Sequence, residues 1–337
     1  MSEGMVIQPI PIEDKADKAD GPPHELVADL HAAYEAAYAG ENPGPPYHLP
    51  RFRNNVCTHA PGARIEAWAA IEGGEVIGGY AVRLYQLDNR HVGQMPFLAV
   101  RPGHRGRGVG SALLEHAIGR LRAHGRTLLL TETPAIGTGA RFVRAHGLTE
   151  SIVEARRTFD LRKADWTALE RMIPKVDGYS LERWIGPAAP ELLPDLATIA
   201  AGMNDAPRDD DSEDTDYSLE RLRAREEGIP RSGLTAYTMV ARRDADGAPA
   251  GYTRIVLATD GAAGWAEQAD TTVLREHRGH RLGLLLKLSN ALWLREREPG
   301  VERVITWNAT SNAHMLAINE AMGFELFDEW IGWRLDL

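Results

Sequence analysis

One stretch of this chain occurs twice, and the duplication constrains the fold more than any other feature. Residues 100–110 read V-R-P-G-H-R-G-R-G-V-G, and residues 273–283 read V-L-R-E-H-R-G-H-R-L-G. Each copy follows an apolar run typical of a strand and precedes an amphipathic pattern typical of a helix. A second helical pattern then ends in Gly147-Leu148 or in Gly323-Phe324. We therefore predict two similar α/β domains in one chain.

The length agrees with two domains, because 337 residues exceed what one hydrophobic core usually organises. We predict an N-terminal domain over 1–164, a connector over 165–177 and a C-terminal domain over 178–337. Each sheet is expected to begin antiparallel, with Gly73-Gly74 as its first hairpin, and to need a parallel step at the glycine-rich turn. The predicted helices span 24–39, 48–55, 109–124, 138–145, 191–203, 282–296 and 312–322, and the predicted strands span 64–71, 76–85, 92–100, 127–131, 152–161, 179–185, 235–242, 251–257, 265–274 and 304–308, with terminal strands up to 335.

Composition excludes several classes of protein. The net charge of -10 argues against a general nucleic-acid binder, which needs a basic face. Residues 1–23 are acidic and lack a long apolar core, so we expect an irregular N-terminal leader and not a signal peptide. No run is apolar enough for a membrane span. Cys57 is the single cysteine, which excludes an intrachain disulfide and fits a reducing cytoplasm. We expect a soluble cytoplasmic enzyme.

The repeated turn has the composition of a phosphate site. Amides at a helix N-terminus lack intrahelical partners and carry partial positive charge, so they bind anions. Glycines let the backbone adopt positive φ and approach a ligand closely. A P-loop would need Gly followed by Lys-Ser or Lys-Thr, which neither turn contains, and a dinucleotide fingerprint would need a third glycine where Ser111 or Leu113 stands. The pattern therefore indicates a different phosphate-bearing ligand.

At these residues the chain resembles the GNAT superfamily of N-acetyltransferases. The pattern Arg/Gln-x-x-Gly-x-Gly/Ala after a strand ending in Val-x-Pro is similar to the acyl-CoA signature of that superfamily, and the helices that end at Gly147 and Gly323 look like its second CoA-binding motif. The resemblance covers nearly the whole chain as a tandem pair, like that of mycothiol synthases. It implies an α/β fold of two tandem acyl-CoA N-acyltransferase domains, each a mixed, mostly antiparallel sheet flanked by helices. The implied reaction is transfer from acetyl-CoA to an amine.

The resemblance also implies which residues bind acetyl-CoA, the co-substrate. In this family the CoA pyrophosphate lies on the glycine turn, and the pantetheine arm runs between two splayed parallel strands. The corresponding candidates in the first repeat are Leu98, Val100, Arg105, Gly106, Arg107, Gly108, Val109, Gly110 and Ser111. Those in the second repeat are Val273, Arg278, Gly279, His280, Arg281, Leu282, Gly283, Asn308 and Asn312.

The candidate catalytic residues favour the second repeat. In the histone-acetyltransferase branch a glutamate base stands eleven residues before the glycine signature, a position held here by Gln94 and Glu267. We therefore predict Glu267 as the general base, with Asp270, three residues on, facing the opposite side of the strand. A tyrosine that protonates the leaving thiolate in the family is replaced by Val143 and by Asn319, which could still donate a hydrogen bond. Arg281 replaces the glycine that matches Gly108, so the first repeat has the better phosphate cradle.

The remaining features set the expected partners. Acidic residues 209–216 could select a cationic amine, although a solvated loop explains them too. His277 and His280 have poor zinc geometry, and we predict no metal. We expect a small-molecule amine as acceptor, no nucleic acid, no membrane, and a monomer or homodimer. A non-catalytic acyl-CoA sensor and a protein lysine acetyltransferase remain alternatives.

Overall fold

The computed structural model describes residues 4–12, 25–40, 43–209, 211–260 and 264–337. The chain divides into two compact units. The first contains Met1–Val153, Asp211–Asp214 and Trp330–Leu337, and the second contains Glu154–Asp210 and Thr215–Glu329. Most of the predicted leader, 1–3 and 13–23, lies outside the described residues, and so does residue 24 of the first predicted helix.

Strands and helices alternate as the repeat predicts. The strands are β1 Val6–Pro9, β2 Ala63–Glu72, β3 Glu75–Tyr85, β4 Val92–Val100, β5 Leu128–Pro134, β6 Thr149–Asp160, β7 Tyr179–Ile185, β8 Leu234–Arg243, β9 Pro249–Ala258, β10 Trp265–Val273, β11 Arg303–Ala309 and β12 Glu325–Asp336. The helices are α1 Glu25–Tyr38, α2 Leu49–Cys57, α3 Val109–Ala123, α4 Thr138–Ala145, α5 Trp166–Met172, α6 Leu193–Ala200, α7 Leu219–Arg231, α8 Leu282–Arg297 and α9 Ala313–Met322.

Three observed elements are absent from the prediction, namely β1, α5 and α7. Helix α5 lies inside the predicted connector, where Asp165 caps it by accepting a hydrogen bond from the amide of Ala168 at 3.0 Å. The predicted helix over 191–203 is instead α6 between two short 3-10 segments, Pro190–Leu192 and Ala201–Asp205. Prolines fix φ and remove an amide donor, so Pro190 and Pro194 each favour the start of a new segment.

The first unit is a sheet covered on both faces. Its strand order is β1-β2-β3-β4-β5 followed by the C-terminal part of β12, and β4 and β5 are its parallel pair. Helices α3 and α4 cover one face, and α1 and α2 cover the other. Gly73 and Gly74 both have positive φ in the β2–β3 hairpin, as this turn requires.

The second unit repeats the same plan. Its strand order is β7-β8-β9-β10-β11 followed by the C-terminal part of β6, and β10 and β11 are its parallel pair. Helices α5, α8 and α9 pack on one face, and α6 and α7 pack on the other. The mixed, mostly antiparallel sheets predicted from the repeat are thus confirmed.

The limits of the two units differ from the predicted domain boundaries, because each unit includes a strand from the other repeat. Residues 154–160 of β6 pair with β11 in the second unit, and residues 330–336 of β12 pair with β5 in the first. The predicted connector packs into the second unit, where Leu169 is buried in the core. Strand exchange of this kind leaves no mark in the order of the elements, so sequence boundaries alone do not show it.

A β-bulge in β10 corrects the predicted orientation of two carboxylates. Cross-strand pairing with β9 shifts by one residue between Gln268 and Thr271. The extra residue turns Asp270 to the same face as Glu267, which pairs with Val256 on the side of α6 and α7. The expectation that the two carboxylates face opposite sides is therefore wrong. β4 has the equivalent irregularity opposite Ala81 and Arg83.

A buried lysine gives the second unit a testable pH dependence. Lys287 of α8 is 1% exposed, its Nζ lies 5.3 Å from the centre of the Phe324 ring, and burial lowers its pKa to about 7. In the unfolded chain it stays protonated up to its ordinary pKa of about 10.4. Folding therefore releases a proton between these pKa values, and stability rises with pH in that window.

We expect Lys287→Met to stabilise the protein most at pH 7 and below. The difference in free energy of unfolding between this variant and the wild type should narrow as pH rises from about 7 towards 10. The reason is that Lys287 then loses its proton in the unfolded chain as well, so that folding no longer requires its deprotonation. Urea unfolding at several pH values measures the difference. A constant difference across this range would contradict the prediction.

Candidate functional site

A cleft opens in the first unit where β4 and β5 separate. Their parallel pairing begins at Val92 with Leu128 and ends at Met95 with Thr131. The Thr131 hydroxyl donates to the Met95 carbonyl at 2.8 Å, which closes the paired region. Beyond this point lies a cavity of about 410 Å³. It is lined by Ala37, Tyr38, Met95, Leu98, Ala99, Val100, Arg105, Gly106, Gly108, Gly110, Ser111, Thr131, Glu132, Thr133, Pro134, Ile136, Thr138, Gly139, Phe142 and Val143.

The glycine turn stands at one end of this cavity. Gly106 and Gly108 have φ of +72° and +83°, and Gly108 is the N-cap of α3. A Cβ at either position would meet no protein atom within 4 Å, so the space beside the backbone is open. The first α3 bond runs from the amide of Ala112 to the Gly108 carbonyl, and the amides of residues 109–111 precede it. Such amides lack intrahelical acceptors and are suited to an anion such as a diphosphate.

The two arginines of the turn have structural partners. Arg105 donates from Nε to the Val100 carbonyl at 3.1 Å and from Nη2 to the Ala37 carbonyl at 2.6 Å, which fixes the end of β4 against α1. Arg107 pairs with Glu72 at 2.9 Å and lies outside the cavity lining. The backbone amides at the start of α3 are therefore the candidate anion donors that these contacts leave unchanged.

Most first-repeat candidates meet at the cavity. Those that line it are Leu98, Val100, Arg105, Gly106, Gly108, Gly110 and Ser111. The side chain of Val109 is instead buried in the core, which leaves only its backbone to face a ligand.

The turn of the second repeat adopts the same backbone shape with a different residue. Gly279 has φ of +87°, and Arg281 has φ of +60° as the N-cap of α8, where the first repeat has Gly108. A side chain in this region is uncommon and costs about 1–2 kcal/mol. His280 is exposed and its ring lies 5.5 Å from that of Tyr179, while Leu282 is buried and Gly283 lies against Ile318.

Arg278 of the second repeat matches Arg105 and is held in a comparable way. Its Nε donates to the Val273 carbonyl at 3.0 Å, and its Nη2 pairs with Asp205 at 2.6 Å. The hydrogen bond from Arg278 holds the pKa of Asp205 below its usual value, and Arg275 adds to the effect. The guanidinium is thus engaged by a carboxylate beside the turn.

The three asparagine candidates of the second repeat bond to one another or to a helix end. Asn319 is 0% exposed and donates from Nδ2 to Oδ1 of Asn308 at 2.6 Å. Asn312 is the N-cap of α9 and accepts from the amide of Met315 at 3.2 Å. The bond from Asn319 to Asn308 uses one of the two hydrogens on the Asn319 amide nitrogen.

The predicted base position differs between the repeats. Gln94 accepts hydrogen bonds from Arg83 at 3.0 Å and from Tyr85 at 2.8 Å, so its neutral amide is fixed in place. Glu267 is half-buried and lies where β10 and β11 are still paired, opposite Ile305. Burial raises the pKa of the nearby Asp270 carboxyl, but Arg225 and Tyr252 outweigh burial and hold that pKa below its usual value.

Two further sequence features have structural explanations. His277 is buried and its Nδ1 lies 2.9 Å from the Tyr179 hydroxyl; the described residues contain no cluster of ligands suited to a metal. Part of the acidic segment binds the first unit, since Glu213 accepts from the Asn89 amide at 2.6 Å and Asp211 pairs with Arg334. These contacts lie near the start of β4, whereas the cavity lies at its other end. Residue 210 falls outside the described part of the chain.

Several cavity residues are missing from the predicted set. Thr131 and Glu132 on β5 carry no motif of their own, whereas Phe142 on α4 belongs to the helix ending at Gly147 that resembles the second CoA-binding motif. The end of the β4–β5 pairing brings them to the cleft, and that register is not visible in a single sequence. The equivalent threonine in the second repeat, Thr306, donates to the Gln268 carbonyl at 3.4 Å. A threonine therefore recurs at this position in both repeats, and that recurrence is a sequence signal for Thr131.

Comparison with known proteins agrees with this architecture. Residues 27–143 match the model of the acetyltransferase (GNAT) family. A tandem GNAT protein from the clavulanic acid biosynthesis pathway is similar with a TM-score of 0.80 and 28% identity, covering 98% of each chain. A GCN5-related N-acetyltransferase from Sphaerobacter thermophilus shares the fold at TM-score 0.65 and 15% identity, covering 98% of this chain and 95% of that one. No curated protein sequence matches significantly.

Residues 27–143 thus match a GNAT acetyltransferase domain, and the whole chain is similar to a protein in which two such domains stand in tandem. The family uses acetyl-CoA and acts on amines in general. Among the described helices, none combines the length and apolar character that crossing a membrane requires.

Proposed function

We propose that this protein transfers the acetyl group of acetyl-CoA to the amine of a small molecule, by direct attack of the amine on the thioester. The observation that carries the proposal is the cavity of the first unit, which joins an anion-binding helix start to a cleft between two separating strands. Its residues fit acetyl-CoA because Gly106 and Gly108 leave open space beside the helix start. The cleft beyond Met95 offers edge amides and carbonyls to a pantetheine arm.

A small acceptor is favoured over a protein lysine for one reason. The relative that is 28% identical comes from the clavulanic acid biosynthesis pathway, which belongs to small-molecule metabolism. Cytoplasmic location and a monomeric or dimeric state stay predictions.

The second repeat remains a predicted second acetyl-CoA site, with Glu267 as its base. Its turn has the required backbone shape, and its strands β10 and β11 separate after Gln268 and Thr306. Arg278 of this turn pairs with Asp205, and Asn319 donates to Asn308.

Two measurements test the proposed function. Isothermal titration calorimetry with acetyl-CoA should show binding to the purified protein, and release of free thiol should follow addition of an amine from a panel of polyamines, aminoglycosides, amino acids and peptides. Binding without thiol release would favour a sensor, and release with peptides alone would favour a protein lysine acetyltransferase. No uptake of acetyl-CoA would contradict all three functions.

A further inference from the structure

The first repeat contains a carboxylate at its cleft, on β5 instead of β4. Glu132 directly follows Thr131, the last residue paired with β4, and it lines the cavity. It is the one acidic side chain among the described residues of that lining. Across the sheet it pairs with Gly332 of β12, and the Ile152 side chain lies against the Gly332 backbone.

The alternation of β5 places Glu132 on the face of α1. Thr133, its neighbour, accepts from the Trp333 indole at 2.9 Å within the core on the side of α3 and α4. Successive side chains of a strand point to opposite faces, so Glu132 points to the side of α1 and α2. The pKa of Tyr34 on α1 is raised chiefly by its burial, and the charge of Glu132 contributes to the rise, which agrees with this placement.

The two repeats carry a carboxylate on different strands of their parallel pair. The hydrogen bonds of Thr131 and Thr306 to the last paired carbonyl align β5 with β11, so that Glu132 corresponds to Trp307. The first repeat thus has Gln94 on β4 and Glu132 on β5. In the second repeat, Glu267 lies on β10, which corresponds to β4, and Trp307 lies on β11, which corresponds to β5. Each repeat thus has a carboxylate directly next to the last paired residue of its parallel strands, Glu132 beside Thr131 and Glu267 beside Gln268.

The surroundings of Glu132 fit a cationic acceptor. Tyr38 lines the same cavity, and its ring lies 4.6 Å from that of Tyr34, which in turn contacts Phe97 of β4 at 5.6 Å. Aromatic rings beside a carboxylate attract an ammonium group through cation–π and Coulomb forces. A primary amine that is protonated in water therefore suits this side of the cleft.

We propose that Glu132 is the general base of the first repeat and binds the ammonium form of the acceptor, an inference that rests on the proposed function. Glu132 takes one proton from the bound ammonium group, which frees the nitrogen lone pair. The neutral nitrogen then forms a bond to the thioester carbonyl carbon, and a second proton passes from that nitrogen to water. The C–S bond then breaks, CoA leaves as a thiolate, and water supplies its proton. The products are the N-acetyl amine, free CoA and one proton released to solvent.

The test compares Glu132→Gln with Glu132→Asp, with Glu115→Gln as a matched control. Glu115 is an exposed residue of α3 outside the cavity lining. In a Glu267→Gln background, where the predicted base of the second repeat does not contribute, we expect Glu132→Gln to lower kcat by about a hundred- to ten-thousandfold, as loss of a general base does, while acetyl-CoA affinity by calorimetry stays within twofold. Glu132→Asp should recover part of the rate, and Glu115→Gln should behave as the wild type.

The pH profile separates a base from a merely structural residue. The residual rate of Glu132→Gln should rise steadily with pH towards the pKa of the amine, because only amine that is already neutral can react. A variant that keeps the wild-type kcat and pH profile overturns the role of Glu132 and leaves the proposed function intact. A wild type that acetylates no amine contradicts the proposed function instead.

Discussion

Gly108→Ala should weaken acetyl-CoA binding at the first repeat by about ten- to hundredfold. Gly108 has φ of +83° at the N-cap of α3, and a Cβ there would project into the open space proposed for the diphosphate. Loss of a hydrogen bond to a charged group costs about 1.5–3 kcal/mol, and each 1.4 kcal/mol is tenfold in affinity. Isothermal titration calorimetry measures the change in affinity. Slower hydrogen exchange of residues 105–111 on addition of acetyl-CoA would show that the measured binding occurs at this turn.

Gly103→Ala is the matched control for this prediction. Gly103 lies in the same turn, has no positive φ, and leaves open space around an added Cβ, but it is absent from the cavity lining. It should bind acetyl-CoA as the wild type does. Arg281 shows that a side chain can adopt the left-handed conformation at the equivalent position, so Gly108→Ala should still fold. Wild-type affinity in a folded Gly108→Ala protein would contradict the role of this turn.

The parts of the fold that depend on local pattern could be predicted from the sequence. β4, β7 and α4 have the predicted ends. Glycines flank β7 and one precedes α4, so these boundaries follow directly from local chemistry. The positive φ of Gly106 and Gly108 follows from the same local chemistry. Local chemistry is therefore sufficient to predict the backbone shape of the glycine turn.

The parts that depend on long-range pairing could not be predicted. The bulge in β10, which turns Asp270 to the face of Glu267, appears only when β10 is aligned with β9. The position of Glu132 at the cleft depends on where β4 and β5 stop pairing. A search for a base on β4 alone reaches Gln94 and Glu267, and it misses the carboxylate on the neighbouring strand.

The exchange of last strands between the repeats leads to the largest expected effect on stability. Trp333 of β12 is 1% exposed, packs in the core of the first unit, and donates to the Thr133 hydroxyl at 2.9 Å. Its matched counterpart in the second unit is Phe159 of β6, which is 3% exposed and stacks on Phe324 at 5.3 Å. Each aromatic residue comes from one repeat and stabilises the unit formed mainly by the other.

Trp333→Ala should destabilise the first unit by about 3–5 kcal/mol, because truncation of a buried tryptophan removes its packing and leaves a cavity. Hydrogen exchange should show faster exchange in β5 than in β11, and acetyl-CoA binding should weaken because Thr133 lines the cavity. Phe159→Ala should give the converse pattern, with β11 losing protection first. If Trp333→Ala exposed β11 before β5, the C-terminal strand would belong to its own repeat, and the assignment of Trp330–Leu337 to the first unit would be wrong.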